Sequence, residues 1–331
     1  MLHIKSKIDT INKLLVNHRI KSGYYAKKGN NSFIIIMYHG IDLHNSTRFN
    51  ERFFSRDNFE EQIVLLKKHC NILTHTNFMN NEFSKDKTNV AITFDDGYLN
   101  NLTYALPILD KYDAHAYYFI TGVGSLHHKV LWADAIDIVS RYTKEKSKIM
   151  LAGVEFEFYG NEFTNRDSGL NVKKFIKEHK APGYELKEQF VSQLLSIYDF
   201  TKAADLKDYW QLMNDEEIHK TSLSKNITIG SHGFYHNNLG SLSNTDAVEE
   251  VKKSKAYLEG IIQKEVTTIG FPDGSYTPQL NESLLPLGFT KQFLVDYKFS
   301  DAGNKDYVYD RFGLYPYMGN EHQLLHKIIH Q

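Results

Sequence analysis

Continuous apolar runs that stop abruptly in polar residues recur along this chain. The first is SFIIIMYHG (32–40), the second VAITF (90–94) followed by DDG, and the third AHAYYFI (114–120) closed by TGVG. A run without polar alternation marks a strand covered on both faces, as in a parallel sheet. Between the first two, NFEEQIVLLKKH (58–69) places Phe59, Ile63 and Leu66 at helical spacing. After Gly97, YLNNLTYALPILDKYD reads as a helix in which Pro107 either makes a kink or starts a second turn. The order β-α-β-α-β predicts a parallel sheet with helices outside.

From residue 130 the rhythm breaks. LWADAIDIVSRY reads as a helix, residues 150–159 alternate like an exposed hairpin strand, and 173–198 and 202–218 read as charged amphipathic helices. With no central buried strand, the block at about 130–222 reads as a mainly helical insertion. The rhythm resumes with NITIG (226–230), SHGFYHNNLG and a helix over 246–263. Strands are expected over 266–271, 289–295 and 307–314, and a closing helix over 322–330. About seven core strands, each followed by a helix or a long loop, predict an α/β fold: a distorted (β/α)7-type barrel over 32–331. Residues 1–31 read as a short amphipathic helix, with Ile8, Ile11, Leu14 and Leu15 on one side, and a basic linker.

Composition narrows the classes. Lys+Arg number 39 against Asp+Glu 40, a net charge of −1, so no nucleic acid or anionic membrane is expected as a partner. The single cysteine, Cys70, excludes an internal disulfide and a cysteine-based metal site, and reads as a packing residue. No apolar run reaches secretory or membrane-spanning length, so no membrane span and a cytoplasmic location are expected. The pattern assigns no oligomeric state.

The chemistry concentrates at two strand ends. Asp95 and Asp96 follow VAITF directly, where an α/β fold presents side chains from its loops. In an extended segment they would point to opposite sides, one toward a cation and the other toward a substrate. His232 and His236 follow NITIG four residues apart, a spacing that shares a face on one helical turn. Two imidazoles and a carboxylate from a neighbouring strand end form the donor set of a catalytic zinc site with an open position. Cobalt, nickel or iron suits the same set.

TFDDG (93–97) together with SHGFYH (231–236) resembles the polysaccharide deacetylase family (carbohydrate esterase family 4). IMYHG, MNDEEI, NLGSLS and FPDGSY support the resemblance, which covers roughly 33–314. It implies a distorted β/α barrel that removes acetyl groups from N-acetylated sugars. It also implies Asp96, His232 and His236 as metal ligands and Asp95 as general base. Two departures stand out. The family's Arg before Pro is missing from IGFPDG (269–274), and Arg311, at the edge of the last expected strand, is the substitute expected to orient Asp95. The family's late histidine acid has no counterpart on a strand, since His322, His326 and His330 fall in the expected closing helix. His39, ending the first strand, is therefore the candidate acid. Tyr98 through its backbone N–H, Trp132 by stacking on a sugar face, and Asp273 are the substrate-binding candidates, Asp273 having a plain turn residue as its alternative.

The expected function is a zinc-type metal-dependent hydrolase removing N-acetyl groups from an amino sugar in a polysaccharide or glycan precursor. Two other readings stay open. One is hydrolysis of a small non-sugar amide at the same site, and the other a catalytically inactive glycan-binding relative.

Overall fold

The computed structural model describes residues 33–44, 49–295, 306–320 and 323–324. The helix expected within 1–31 lies outside these residues, as does the closing helix over 322–330 apart from Gln323 and Leu324.

Seven strands run in chain order round a closed ring: β1 (Phe33–Tyr38), β2 (Asn89–Phe94), β3 (Ala116–Ile120), β4 (Ile227–Ser231), β5 (Thr268–Gly270), β6 (Lys291–Val295) and β7 (Val308–Gly313). Every neighbouring pair is parallel. The ring closes where β7 meets β1, with Ile36 opposite Phe312. A two-residue strand, Asn71–Ile72, fills the place beside the start of β2, because β3 begins only opposite Ile92. The expected (β/α)7 barrel is the observed fold.

Alternation along the strands sorts the side chains. Ile35, Ala91, Tyr117, Phe119, Phe293 and Tyr309 form one buried cluster, the filling of the barrel. The intervening residues, such as Ile36, Ile92, Tyr118, Ile229 and Phe312, pack outward in a larger cluster under the helices. Phe59, Ile63 and Leu66 of the helix Arg56–His69 belong to that layer, which its helical spacing anticipated. Phe119 is held between two glycines on successive strands. A Cβ on Gly230 would lie 2.5 Å from Thr268 Oγ1 and 2.6 Å from the Phe119 ring, and one on Gly270 2.8 Å from that ring. Gly230→Ala therefore costs about 1–3 kcal/mol of stability by overpacking, read as a lower midpoint in urea. An unchanged midpoint would mean the barrel filling is looser than these distances.

Between β3 and β4 the chain builds a second core of Trp132, Phe156, Phe163, Phe190 and Leu194 among others. Three expectations are corrected here. The hairpin is a three-stranded antiparallel sheet, Lys148–Leu151, Val154–Tyr159 and Glu162–Thr164. Its two turns use left-handed backbone at Ala152–Gly153 and Gly160–Asn161. The helix over 173–198 is two helices, Val172–Glu178 and Glu185–Ile197, parted by Pro182 and Gly183 (φ 92°). Residues 202–218 are not one helix. Short 3-10 turns lead to residues 211–213, which pair with 97–99 through Leu99 N to Gln211 O (2.8 Å) and Met213 N to Gly97 O (2.9 Å). That pairing takes the backbone out of helix until Asn214 and Glu217 cap Asp215–Ser222 reciprocally. Of the two readings of Pro107, the start of a second turn is the observed one. It sits in the first turn of Leu106–Lys111, which continues in helical backbone from a wider turn over Asn101–Ala105. Among the described residues no helix is long and apolar enough to cross a membrane.

Candidate metal centre

The chain leaves β2 at Asp95 and β4 at His232, both in step with the inward-facing positions below them. Arg311 on β7 shares that parity with Tyr309. The three side chains therefore meet above Phe119. Arg311 donates to both oxygens of Asp95, Nη1 to Oδ1 at 2.6 Å and Nη2 to Oδ2 at 2.8 Å. Its Nε donates to Leu294 O (3.2 Å) and Nη1 also to Thr93 Oγ1 (3.3 Å). The guanidinium lies 5.3 Å from the Phe119 ring centroid. Arg311 and Asp95 are each 3% exposed, so this bidentate pair is shielded from solvent.

Asp96 breaks the alternation. An extended backbone would aim it away from Asp95, but Asp96 is left-handed (φ 76°) and Gly97 follows at 86°. The turn brings Asp96 Oδ1 to 3.4 Å from His232 Nε2, while Asp95 Oδ2 lies 4.0 Å from the same nitrogen. His236 Nε2 is 3.1 Å from Asp96 Oδ1. The two histidines are not on a helical turn. Residues 232–236 are irregular, with Gly233 at φ 69° and His236 at φ 52°, and the imidazole centroids end 5.0 Å apart. Left-handed backbone at a non-glycine residue costs on the order of 1 kcal/mol or more, and persists only where its surroundings enforce it.

The loop is enforced from two sides. Glu250, on the helix Asn244–Ile262, accepts from Tyr235 N (3.0 Å) and Asn237 N (3.3 Å) at Oε1 and from Asn237 Nδ2 (2.8 Å) at Oε2. Lys187, on the helix Glu185–Ile197, donates from Nζ to Tyr235 O (3.0 Å) and His236 O (2.6 Å).

These donors fit a divalent cation. His232 Nδ1 lies 2.7 Å from Gly270 O, which puts the ring proton on Nδ1 and leaves an Nε2 lone pair aimed at the Asp96 carboxylate. Lone pairs that face each other at 3.4 Å must share either a proton or a cation. The other oxygen, Asp96 Oδ2, is buried with no hydrogen-bond partner. Asp96, His232 and His236 offer ligand atoms all within 4.8 Å of one another. The set of one carboxylate and two imidazoles suits zinc and its neighbours. Burial would raise the Asp96 carboxyl, but bonds to His232 and His236 outweigh it and hold the group well below the usual range. Asp95 follows the same logic: burial is overcome by Arg311 and His232, and its carboxyl stays low.

The remaining candidates fall differently. His39 lies at the rim, but burial and then Arg52 push its imidazole down to about 3. That direction weighs against His39 as the acid. Trp132 is 4% exposed and packs near Phe190, 6.2 Å between centroids, so its ring offers no face to a sugar. The Tyr98 side chain is buried and donates to Asp134 Oδ2 (2.7 Å). Its backbone is bridged to Leu212 in the pairing whose bonds run through the flanking residues, so the Tyr98 N–H points away from that segment. Asp273 is left-handed (φ 50°) and paired with Lys177 Nζ at 3.0 Å. The FPDGSY and NLGSLS stretches touch, with Gly240 N donating to Ser275 O at 3.3 Å.

Arg52 was missed by the sequence reading. Its Nη2 lies 4.0 Å from Asp96 Oδ2, and its Nε donates to Asn50 Oδ1 (3.2 Å). Asn50 is fixed in turn by Asp134, Nδ2 to Oδ1 at 3.1 Å. Burial pushes the Asp134 carboxyl up to about 7 against the pull of Arg52. Lys187 and Glu250 were missed as well. Arg52 and Lys187 are single charged residues far from either motif, Glu250 stands on the helix that follows the His motif, and none carries a local signal of its destination. A second set, His127, His128 and Glu188, also gathers three donor atoms within 4.8 Å, at the surface, where His128 Nε2 already meets Ser192 Oγ at 2.7 Å.

Comparison with known proteins agrees with the fold. The chain is similar to the Streptococcus pyogenes deacetylase PplD, solved in complex with acetate, at 17% identity and a TM-score of 0.56, over 89% of this chain and 97% of that one. It is similar to IcaB from Ammonifex degensii at 14% identity and 0.53, over 91% and 98%. It is also similar to BC0361, a polysaccharide deacetylase from Bacillus cereus, at 17% and 0.53, over 89% and 68%. A search of curated proteins finds no match. The sequence profile of the polysaccharide deacetylase family matches residues 83–182 and 190–291, more than half of the chain and both strand-end motifs. This chain therefore belongs to the polysaccharide deacetylase family.

Proposed function

We propose that this protein is a metal-dependent hydrolase that removes the N-acetyl group from an amino sugar in a polysaccharide or glycan precursor. The observation that carries the proposal is the convergence of Asp96, His232 and His236 beside an Asp95 carboxylate clamped by Arg311. The family supplies the substrate class.

Asp96, His232 and His236 would hold the ion, zinc being the first choice. A divalent ion held there supplies charge that polarises the amide carbonyl and acidifies water, to a pKa of about 7 for zinc. Asp95 takes the proton of the attacking water. It is ionised for that task because Arg311 offsets its burial. Arg311 holds both Asp95 oxygens, which fixes the direction of proton transfer. The Tyr98 N–H, free of the 211–213 pairing, is the donor assigned to the carbonyl oxygen as it gains charge. The departing amine needs a proton, and the Asp95 carboxyl, having just gained one, returns it. The products are acetate and a free amino sugar.

Two measurements test this reading. Elemental analysis of the purified protein gives the bound metal. Acetate release is then followed on N-acetylglucosamine oligomers and on cyclic amides, before and after chelation. The expected result is release from the oligomers that disappears on chelation and returns with stoichiometric zinc. Full activity in metal-free protein would overturn the mechanism. Release from cyclic amides alone would replace the substrate class.

A further inference from the structure

We infer that the block between β3 and β4 is a working part of the metal centre: Lys187 is a positioning residue that holds the His236 loop in its ligating shape before any ion arrives. The inference rests on the proposed ligand role of His236.

The geometry is specific. Consecutive carbonyls of an extended chain point in opposite directions. Those of Tyr235 and His236 instead share one ammonium, at 3.0 and 2.6 Å. Such sharing requires a turn between them, and His236 is the left-handed residue that makes it (φ 52°). Lys187 therefore favours the one backbone conformation that turns the His236 imidazole toward Asp96. Glu250 does the complementary work on the N–H groups of Tyr235 and Asn237. Glu250 thus grips backbone donors of the loop, and Lys187 grips its backbone acceptors.

The block reaches the same loop twice more. Asn237 Nδ2 donates to Gly183 O (2.9 Å), and Asn238 Nδ2 donates to Lys177 O (3.2 Å). Lys177 also pairs with Asp273, so the grip continues to the β5 end of the rim. Lys187 is 7% exposed, and none of the ion pairs found among the described residues involves it. A buried ammonium whose hydrogen bonds go to carbonyls is a costly element for a packing role alone. Its return is conformational: it decides where the next side chain points.

Lys187→Met keeps the length of the stem and removes the donor. The expected result is zinc affinity weaker by about 10- to 100-fold, the range for removing a group that orients a ligand, with barrel far-UV dichroism intact and most acetate release restored at saturating zinc. Asp96→Asn, by contrast, is not rescued by zinc. A folded Lys187→Met protein with wild-type zinc affinity would overturn the inference, while leaving the metal-dependent reading in place if wild type still binds zinc. A wild-type protein that binds no zinc would instead sink the reading beneath it. A second measurement needs no variant: hydrogen exchange of the chelated wild-type protein. Amides of Tyr235 and Asn237 are expected to stay protected without metal. Free exchange of both would show that the loop is shaped by the ion rather than by the clamp, and would overturn the inference.

Discussion

Asp95→Asn is expected to release acetate about 10³-fold more slowly than the wild-type protein, within the range for loss of a general base, while binding the same amount of zinc. The substitution preserves volume. It leaves Asp96, His232 and His236 untouched, so the donor atoms within 4.8 Å of one another keep their places. What disappears is the capacity to take a proton from water. An amide oxygen in the Oδ1 position still accepts from Arg311 Nη1, so the side chain stays oriented and the remaining rate comes from carbonyl polarisation alone. Stability also falls, because a buried guanidinium now faces a neutral group. The rate must therefore be expressed per folded molecule, with circular dichroism at the assay temperature as the control. Turnover close to wild type would remove Asp95 from the reaction. Loss of zinc together with turnover would make Asp95 a ligand rather than a base.

What could be read from the sequence follows from how much of each element is decided locally. The barrel strands were legible because most of their side chains are covered on both faces, so IIIM and VAITF carry no alternation to confuse with a half-exposed sheet. Their ends shifted by one or two residues where apolar character runs on past the last ladder bond, as at 266–271 against Thr268–Gly270. The block after β3 was read poorly because pairing across the chain decides it. Residues 211–213 have helical spacing in sequence, yet the backbone of 97–99 claims their hydrogen bonds. The break at Pro182 and Gly183 was visible in principle, since that dipeptide ends helices. At the site, the two motifs named residues that the fold brings together, but the wrong geometry was attached to both. Asp96 and His236 reach the centre through left-handed backbone, which neither strand nor helix periodicity anticipates. Arg52 and Lys187 act from segments distant in sequence and Glu250 from the helix after the His motif, and only the folded chain brings the three to the rim.

Arg311→Met is the variant with the largest expected effect on the fold and the second largest on turnover. Removing the cation strands the Asp95 carboxylate in a site where it is 3% exposed. Breaking a buried pair from one side typically costs about 3–5 kcal/mol. The substitution also ends the bonds to Leu294 O and Thr93 Oγ1. Released from its two-point clamp, Asp95 loses its fixed direction, and misplacement on that scale costs about 10²-fold in rate. The cost to stability depends on metal. With zinc bound beside it, Asp95 has another positive neighbour, so the loaded variant loses less stability than the chelated one, measured by urea unfolding with and without zinc. The double variant Asp95→Asn with Arg311→Met then separates pairing from packing. If the two groups act on each other, the double loss is smaller than the sum of the single losses, with a coupling of about 1–3 kcal/mol. Strict additivity would mean that the contacts at 2.6 and 2.8 Å contribute nothing as a pair. Arg311 would then matter only for what it packs against, and the orientation of Asp95 would need another source.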